Sequence, residues 1–173
     1  MTEVRVNGSA HLFPTSMIVG IQNARRFNIH ANCTWIMGSP GETLADVQES
    51  ALFMMWQMEY YAQFGIQPEA VNTKMFTMTW YPGTTLINNP RVRHELSRVF
   101  GLSFEPAKSN TSGVLYDPVM DRAFFHYLLS LDDATKLLEC EGEPPNFSDI
   151  PNDTFMKLRD LVDSGRTLDI LHL

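Results

Sequence analysis

The 173 residues amount to one domain, and an apolar share of 44% supplies a sizeable core, which excludes an intrinsically disordered chain. A formal charge of −7 and a pI near 5.1 remove the positive face that nucleic acid or an anionic membrane surface needs in a partner. No apolar run approaches the roughly 18 residues of a membrane span. The N-terminal "MTEVRVNGSAHLF" matches neither a secretory leader nor a transit peptide, so a cytoplasmic location is expected.

From Pro14 to Phe27 the apolar residues Ile18, Ile21 and Ala24 recur at helical steps, with Thr15 or Ser16 placed to cap the start. Ile29 to Met37 then reads as a strand, with Asn32, Thr34 and Ile36 on one face and Cys33, Trp35 and Met37 on the other. The strand stops at Gly-Ser-Pro-Gly, and Thr43 with Asp46 stands at capping-box spacing before a helix that runs to about Phe64 and ends at Gly65. Methionines in "ALFMMWQMEYY" fill one face of that helix, as core packing requires. Val71 to Tyr81 gives a second strand, which ends in another Pro-Gly turn. Two such strands sharing a sheet form a right-handed crossover unit.

Asn89 and Pro90 form a cap and first-turn pair for a helix that ends at Phe100 and Gly101. Its Arg91, Arg93 and Arg98 read as a solvated face. Residues 103–116 read as loop. Asp117 and Pro118 are expected to open a helix through "VMDRAFFHYLL", and Ser130 to cap "LDDATKLLEC". "EGEPPNFSDIPND" is a Pro-rich connector, followed by a helix carrying Phe155, Leu158, Leu161 and Val162.

Chemistry-bearing residues are sparse. Cys33 and Cys140, far apart, are the only cysteines, so no local thiolate site can be drawn, and Cys33 reads as a reduced core residue. The five histidines, His11, His30, His94, His126 and His172, show no ligand spacing and read as structural or exposed. The two Pro-Gly turns have two readings. They merely reverse the chain, or their N–H groups and the following helix N-terminus hold an anionic or polar ligand. Neither is a phosphate loop, because Gly-Lys-Ser/Thr is missing. Glu42 is the one acid on a rim, where it would interact favourably with the N-terminus of the next helix.

"NARRFNIHANCTWIMGSPGETLADVQES" resembles the fifth-strand region of radical S-adenosylmethionine enzymes, particularly those with an upstream cobalamin-binding domain. "MFTMTWYPGTTLIN" is similar to that family's next strand, and "NFSDIPNDTFMKLRDLVDSG" to its helical tail. The resemblance implies an α/β fold: a partial (β/α) TIM-like barrel of two or three βα units in residues 1–110, followed by a mostly helical C-terminal extension in 111–173. It also implies an adenosine-binding edge made of Trp35, Ile36, Met37, Gly38 and Glu42 at one strand end and Trp80, Tyr81, Pro82 and Gly83 at the other. S-adenosylmethionine would be the cofactor. The family's CxxxCxxC motif is absent, so this chain ligates no [4Fe-4S] cluster, names no catalytic residue and is expected to be inactive alone. Cluster and cobalamin would belong to a full-length parent whose C-terminal half this is. The expected partners are the N-terminal half of the barrel or a second copy of the chain. The competing expectation is a non-catalytic α/β interaction module that pairs with another chain through an exposed strand edge.

Overall fold

A computed structural model describes residues 1–71, 73–81, 83–108, 113–119, 122 and 144–173. In chain order the elements are β1 (Thr2–Val6), β2 (Ser9–Phe13), α1 (Thr15–Arg26), β3 (Cys33–Met37), α2 (Leu44–Ala62), β4 (Thr73–Thr77), α3 (Pro90–Phe100), β5 (Ser103–Pro106), β6 (Tyr116–Val119) and α4 (Asn152–Asp163). Short 3-10 turns occupy Pro68–Ala70, Thr85–Asn88 and Thr167–His172. The fold is mixed α/β with short sheets: β1 pairs with β2, β3 with β4 and β5 with β6, and among the described residues these sheets close no barrel.

The chain divides into two compact units. The first comprises Met1–Met37, Thr43–Phe76 and Met156–Leu173. Its core is aromatic: Phe53 of α2 lies edge-on to Phe13 at 5.0 Å and packs at 5.1 Å against both Trp35 and Trp56. Val6, Ile18, Ile21, Tyr61 and Val71 complete the cluster. The β1–β2 hairpin closes through Asn7 and Gly8, both at positive φ (47° and 81°), so that Val6 faces Ser9 across a two-residue turn. This is the backbone twist that an Asn-Gly pair supplies most cheaply. The amide of Asn7 is anchored to the carboxylate of Glu59 on α2.

β3 packs one side against α2, through Cys33 and Trp35. Cys33, Trp35 and Met37 alternate inward, as the sequence pattern predicts, and Met75 of β4 is buried in the same sense. Gln57 of α2 is fully buried and donates to the carbonyl of Ala31 at 2.9 Å. Thr34, Ile36, Lys74 and Phe76 form the exposed set. Both strands are shorter than the sequence suggests, because Ile29 to Asn32 and Met78 to Tyr81 lie outside the ladder. At the start of α2 the capping box forms as expected, with the Thr43 amide donating to Asp46 at 2.8 Å. At α1 the expectation fails: Pro14 takes the cap position with no side-chain bond, and Thr15 accepts a hydrogen bond from Thr2 instead.

The second unit comprises Gly38–Glu42 and Thr77–Phe155. Trp80, Ile87, Val92, Leu96, Leu102, Val114 and Phe147 form its core. Asn89 caps α3 by accepting from the Arg91 amide, and Gly101 ends it in the left-handed region, as the sequence predicts. Of the stretch 103–116 read as loop, Ser103–Pro106 and Tyr116 belong instead to the paired strands β5 and β6, in which Phe104 faces Pro118. Asp117 and Pro118 therefore lie in a strand rather than opening a helix. A two-stranded ladder tolerates proline because each strand has an edge that needs no donor. The helices expected beyond Val119 and after Ser130 lie outside the described residues, Val119 and Arg122 apart.

Arg91 and Arg98 are exposed on α3, as the sequence predicts, and Arg93 is half-buried. Arg91 pairs with Asp149 at 2.7 Å, Arg93 lies 3.8 Å above the Tyr116 ring, and Arg98 pairs with Glu95 at 2.8 Å. Buried Asn146 orders the Pro-rich connector. It donates to the Ile150 carbonyl at 2.7 Å and to Asn152 at 2.9 Å, while its oxygen accepts from the Ser148 amide and hydroxyl.

Glu95 ties α3 to this connector by accepting from the Asn146 amide. Burial pushes its carboxyl up. Hydrogen bonds from Arg98, Asn146 and His94 and the Arg98 charge outweigh that and hold it below the ordinary range. A folded-state pKa below the unfolded one contributes stability that is complete above the unfolded value and is lost as pH falls through the folded value. Wild type should therefore lose its advantage over Glu95→Gln as pH falls from about 6 to about 3 in thermal melts. A difference independent of pH would mean that the carboxylate charge contributes nothing to the clasp.

Candidate functional site

The turn after β3 is the most structured of the sequence-predicted site segments. Glu42 folds back so that one carboxylate oxygen accepts from the amides of both Gly38 and Ser39, the latter at 3.1 Å. Two successive N–H groups converging on one oxygen make an anion-binding nest. Here the chain fills it with its own carboxylate. Of the two readings of this turn, the structure shows its Gly38 and Ser39 amides engaged within the chain, and the N-terminus of α2 carries the Thr43–Asp46 capping box next to Glu42. Charge-assisted bonds to a part-buried amide pair are among the stronger hydrogen bonds available to a turn.

The turn is also fixed from outside. The Glu42 carbonyl accepts from the Asp149 amide at 2.9 Å, and the Asp149 side chain is held in turn by Arg91. Gly38 has φ +93°, and a side chain there would place its Cβ 3.1 Å from the Phe155 ring and 3.8 Å from Met78. Glycine is therefore required twice, by conformation and by space. Met78 packs in turn on the cluster that holds Trp80, so within the second unit Gly38 and Trp80 are joined through one side chain.

Each predicted site residue has a definite place. Trp35 is half-buried against Phe53, with its indole N–H sealed from solvent and without a partner among the described residues. Met37 is buried, while Ile36 is 60% exposed on the open face of β3. In the second unit Trp80 is a core residue, Tyr81 is 52% exposed and Gly83, at φ +84°, stands in open space. Pro82 lies outside the described residues. The two tryptophans thus serve their own cores, which leaves Ile36 and Tyr81 as the apolar side chains offered to solvent.

No group of three His, Cys, Asp or Glu side chains that could hold a metal exists among the described residues. Cys33 faces α2, where burial pushes its thiol up against a hydrogen bond from Gln57 that lowers it. That is the opposite of an activated thiolate. No described helix is long and apolar enough to cross a membrane. Comparison with family models, curated proteins and solved structures gave no match.

Sequence reasoning missed the role of Glu42, although "GSPGE" carries the signal: an acid three or four residues after a turn that exposes successive amides. Glu42→Ala should lower stability by about 2 kcal/mol in urea unfolding, because two amides lose a charged acceptor. Gly38→Ala should lose more than Gly83→Ala, since both carry roughly 1–2 kcal/mol of positive-φ strain and only Gly38 also meets Phe155. Equal losses at the two glycines would mean that the Phe155 ring gives way.

Proposed function

We propose that this chain supplies the adenosine side of an S-adenosylmethionine site in a partial barrel of the radical S-adenosylmethionine type. The observation that carries the reading is that β3, paired with β4, packs Cys33 and Trp35 on the cluster of α2 while Thr34 and Ile36, with Lys74 and Phe76 of β4, are exposed. An exposed strand face of this kind supports a reading in which further strands would complete a barrel. The sequence resemblance at "GSPGET" and "YPGTT" supports it.

The residues present suit a nucleoside better than a metal centre. An adenine ring needs an apolar surface and main-chain polar groups at a strand end. Ile36 gives the first, on a strand whose end is held by the Glu42 turn. Because the Gly38 and Ser39 amides are committed to Glu42, recognition there would rest on carbonyl groups and apolar contact. A [4Fe-4S] cluster does not fit: the whole chain has two cysteines, and Cys33 is turned into the α2 interface. Its thiolates, and any cobalamin domain, would belong to polypeptide beyond these residues.

The second reading, an interaction module, draws on the same open face, where Ile36 and Phe76 are 60% and 42% exposed. Methyl-labelled protein titrated with S-adenosylhomocysteine separates the two. The adenosine reading expects saturable shifts of the Ile36 methyls below about 5 mM, weakened at least tenfold by Ile36→Glu. No shift at Ile36, together with dimerisation on concentration that the same substitution abolishes, would replace it with the interaction module.

A further inference from the structure

The ends of α1 and α2 meet in the first unit around Arg25. Its guanidinium carbon lies 4.6 Å over the Phe64 ring, and its Nη1 donates to the Asn28 side chain at 3.1 Å. Asn28, in the left-handed region at φ 58°, turns the chain back so that the Ile29 amide reaches the Ala24 carbonyl at 2.9 Å. The chain then runs along α2: the His30 and Tyr61 rings are 5.8 Å apart, and the Ala31 amide donates to the Tyr61 hydroxyl at 3.0 Å.

Two properties set this end of the unit apart. It is apolar where it meets water, with Phe27, Ile29 and Phe64 exposed by 78%, 58% and 48%. One such side chain would be ordinary, whereas three on segments held together by these contacts mark an interaction surface. It is also positive. Residues 23–32 and 60–68 include Arg25 and Arg26 and no Asp or Glu, in a chain whose formal charge is −7. Among the described residues neither arginine has a carboxylate partner. The Nε of Arg25 is sealed and its Nη1 is taken by Asn28, which leaves Nη2 as the donor group open to solvent. A guanidinium already held by a ring and an amide loses little freedom on taking a carboxylate.

The charge of the rest of the chain decides between occupants. An anionic bilayer and a second copy both meet the field of the whole molecule, which repels them. A short acidic segment carries few charges, and these come within about 8 Å, a Debye length, of the two arginines. We infer that this end of the first unit docks an acidic peptide segment of a partner protein, in which Asp or Glu flanks a large apolar side chain. The carboxylates pair with Nη2 of Arg25 and with Arg26, and the apolar side chain lies against Phe27, Ile29 and Phe64. None of these residues enters the adenosine reading, so the proposal is independent of it.

The full chain, labelled with ¹⁵N, should show saturable amide shifts at Phe27, Ile29 and Phe64 when titrated with the capped peptide EELFEE. The peptide QQLFQQ, which lacks the charges, and EEGSEE, which lacks the apolar anchor, should each bind at least about tenfold more weakly. Arg25→Gln and Phe27→Ser should weaken EELFEE similarly while circular dichroism shows the fold retained. The peptide series uses the unaltered chain and so holds even where a variant unfolds. No saturable shift at these amides below about 5 mM peptide, or equal binding of the three peptides, overturns the inference. So does co-sedimentation with phosphatidylserine vesicles, or dimerisation on concentration, that Phe27→Ser abolishes, because either names a different occupant.

Discussion

One carboxylate oxygen, accepting from two consecutive amides, decides where β3 stops and how the chain leaves it. Glu42 satisfies Gly38 and Ser39 locally, and so lets the turn sit where those donors would otherwise need water or a partner. Its own carbonyl then receives Asp149, which Arg91 holds from α3. Residues distant in sequence thereby converge on a single loop through charged or backbone bonds. The Gly38 and Ser39 donors of this rim are already engaged.

That constraint shapes what the rim offers. Glycine turns at strand ends invite the idea of an open anion cradle, yet a glutamate four residues on competes at very high effective concentration with any dissolved anion. On the first unit the apolar side chain that β3 offers to solvent is Ile36. The tryptophans on either strand end, which attract attention in a sequence, are drawn instead to the nearest apolar cluster. A large ring gains from packing against other aromatic and apolar side chains, as Trp35 does on Phe53 and Trp80 in its core.

Much of the fold was legible where a local rule suffices. The alternation in β3, the capping box at Thr43 and Asp46, and the Asn89-Pro90 start and Gly101 stop of α3 each depend on neighbours a few residues apart. The Asn7-Gly8 hairpin was equally readable and was overlooked, because "VRVNGSAHLF" alternates weakly and half of it is polar. The β5–β6 pair was not readable: its strands are four residues each, and proline in both argues against a ladder that only tertiary contact establishes. The same holds for the stacking of Arg25 on Phe64. They come from the ends of α1 and α2, and no spacing in the sequence announces that they meet.

The first unit is discontinuous in sequence, and this has a consequence for biogenesis. Its core helix α2 is made early, but Gln48, which donates to the Ile170 carbonyl, finds its counterpart only in residues 165–173, which follow the second unit in sequence. The second unit is complete at Phe155, before those residues exist. On the ribosome the inserted unit can therefore consolidate first, while the unit that encloses it waits with apolar surface on α2 uncovered. A change in residues 165–173 therefore bears on the same unit as a change in the β1–β2 hairpin, although the second unit lies between them in sequence.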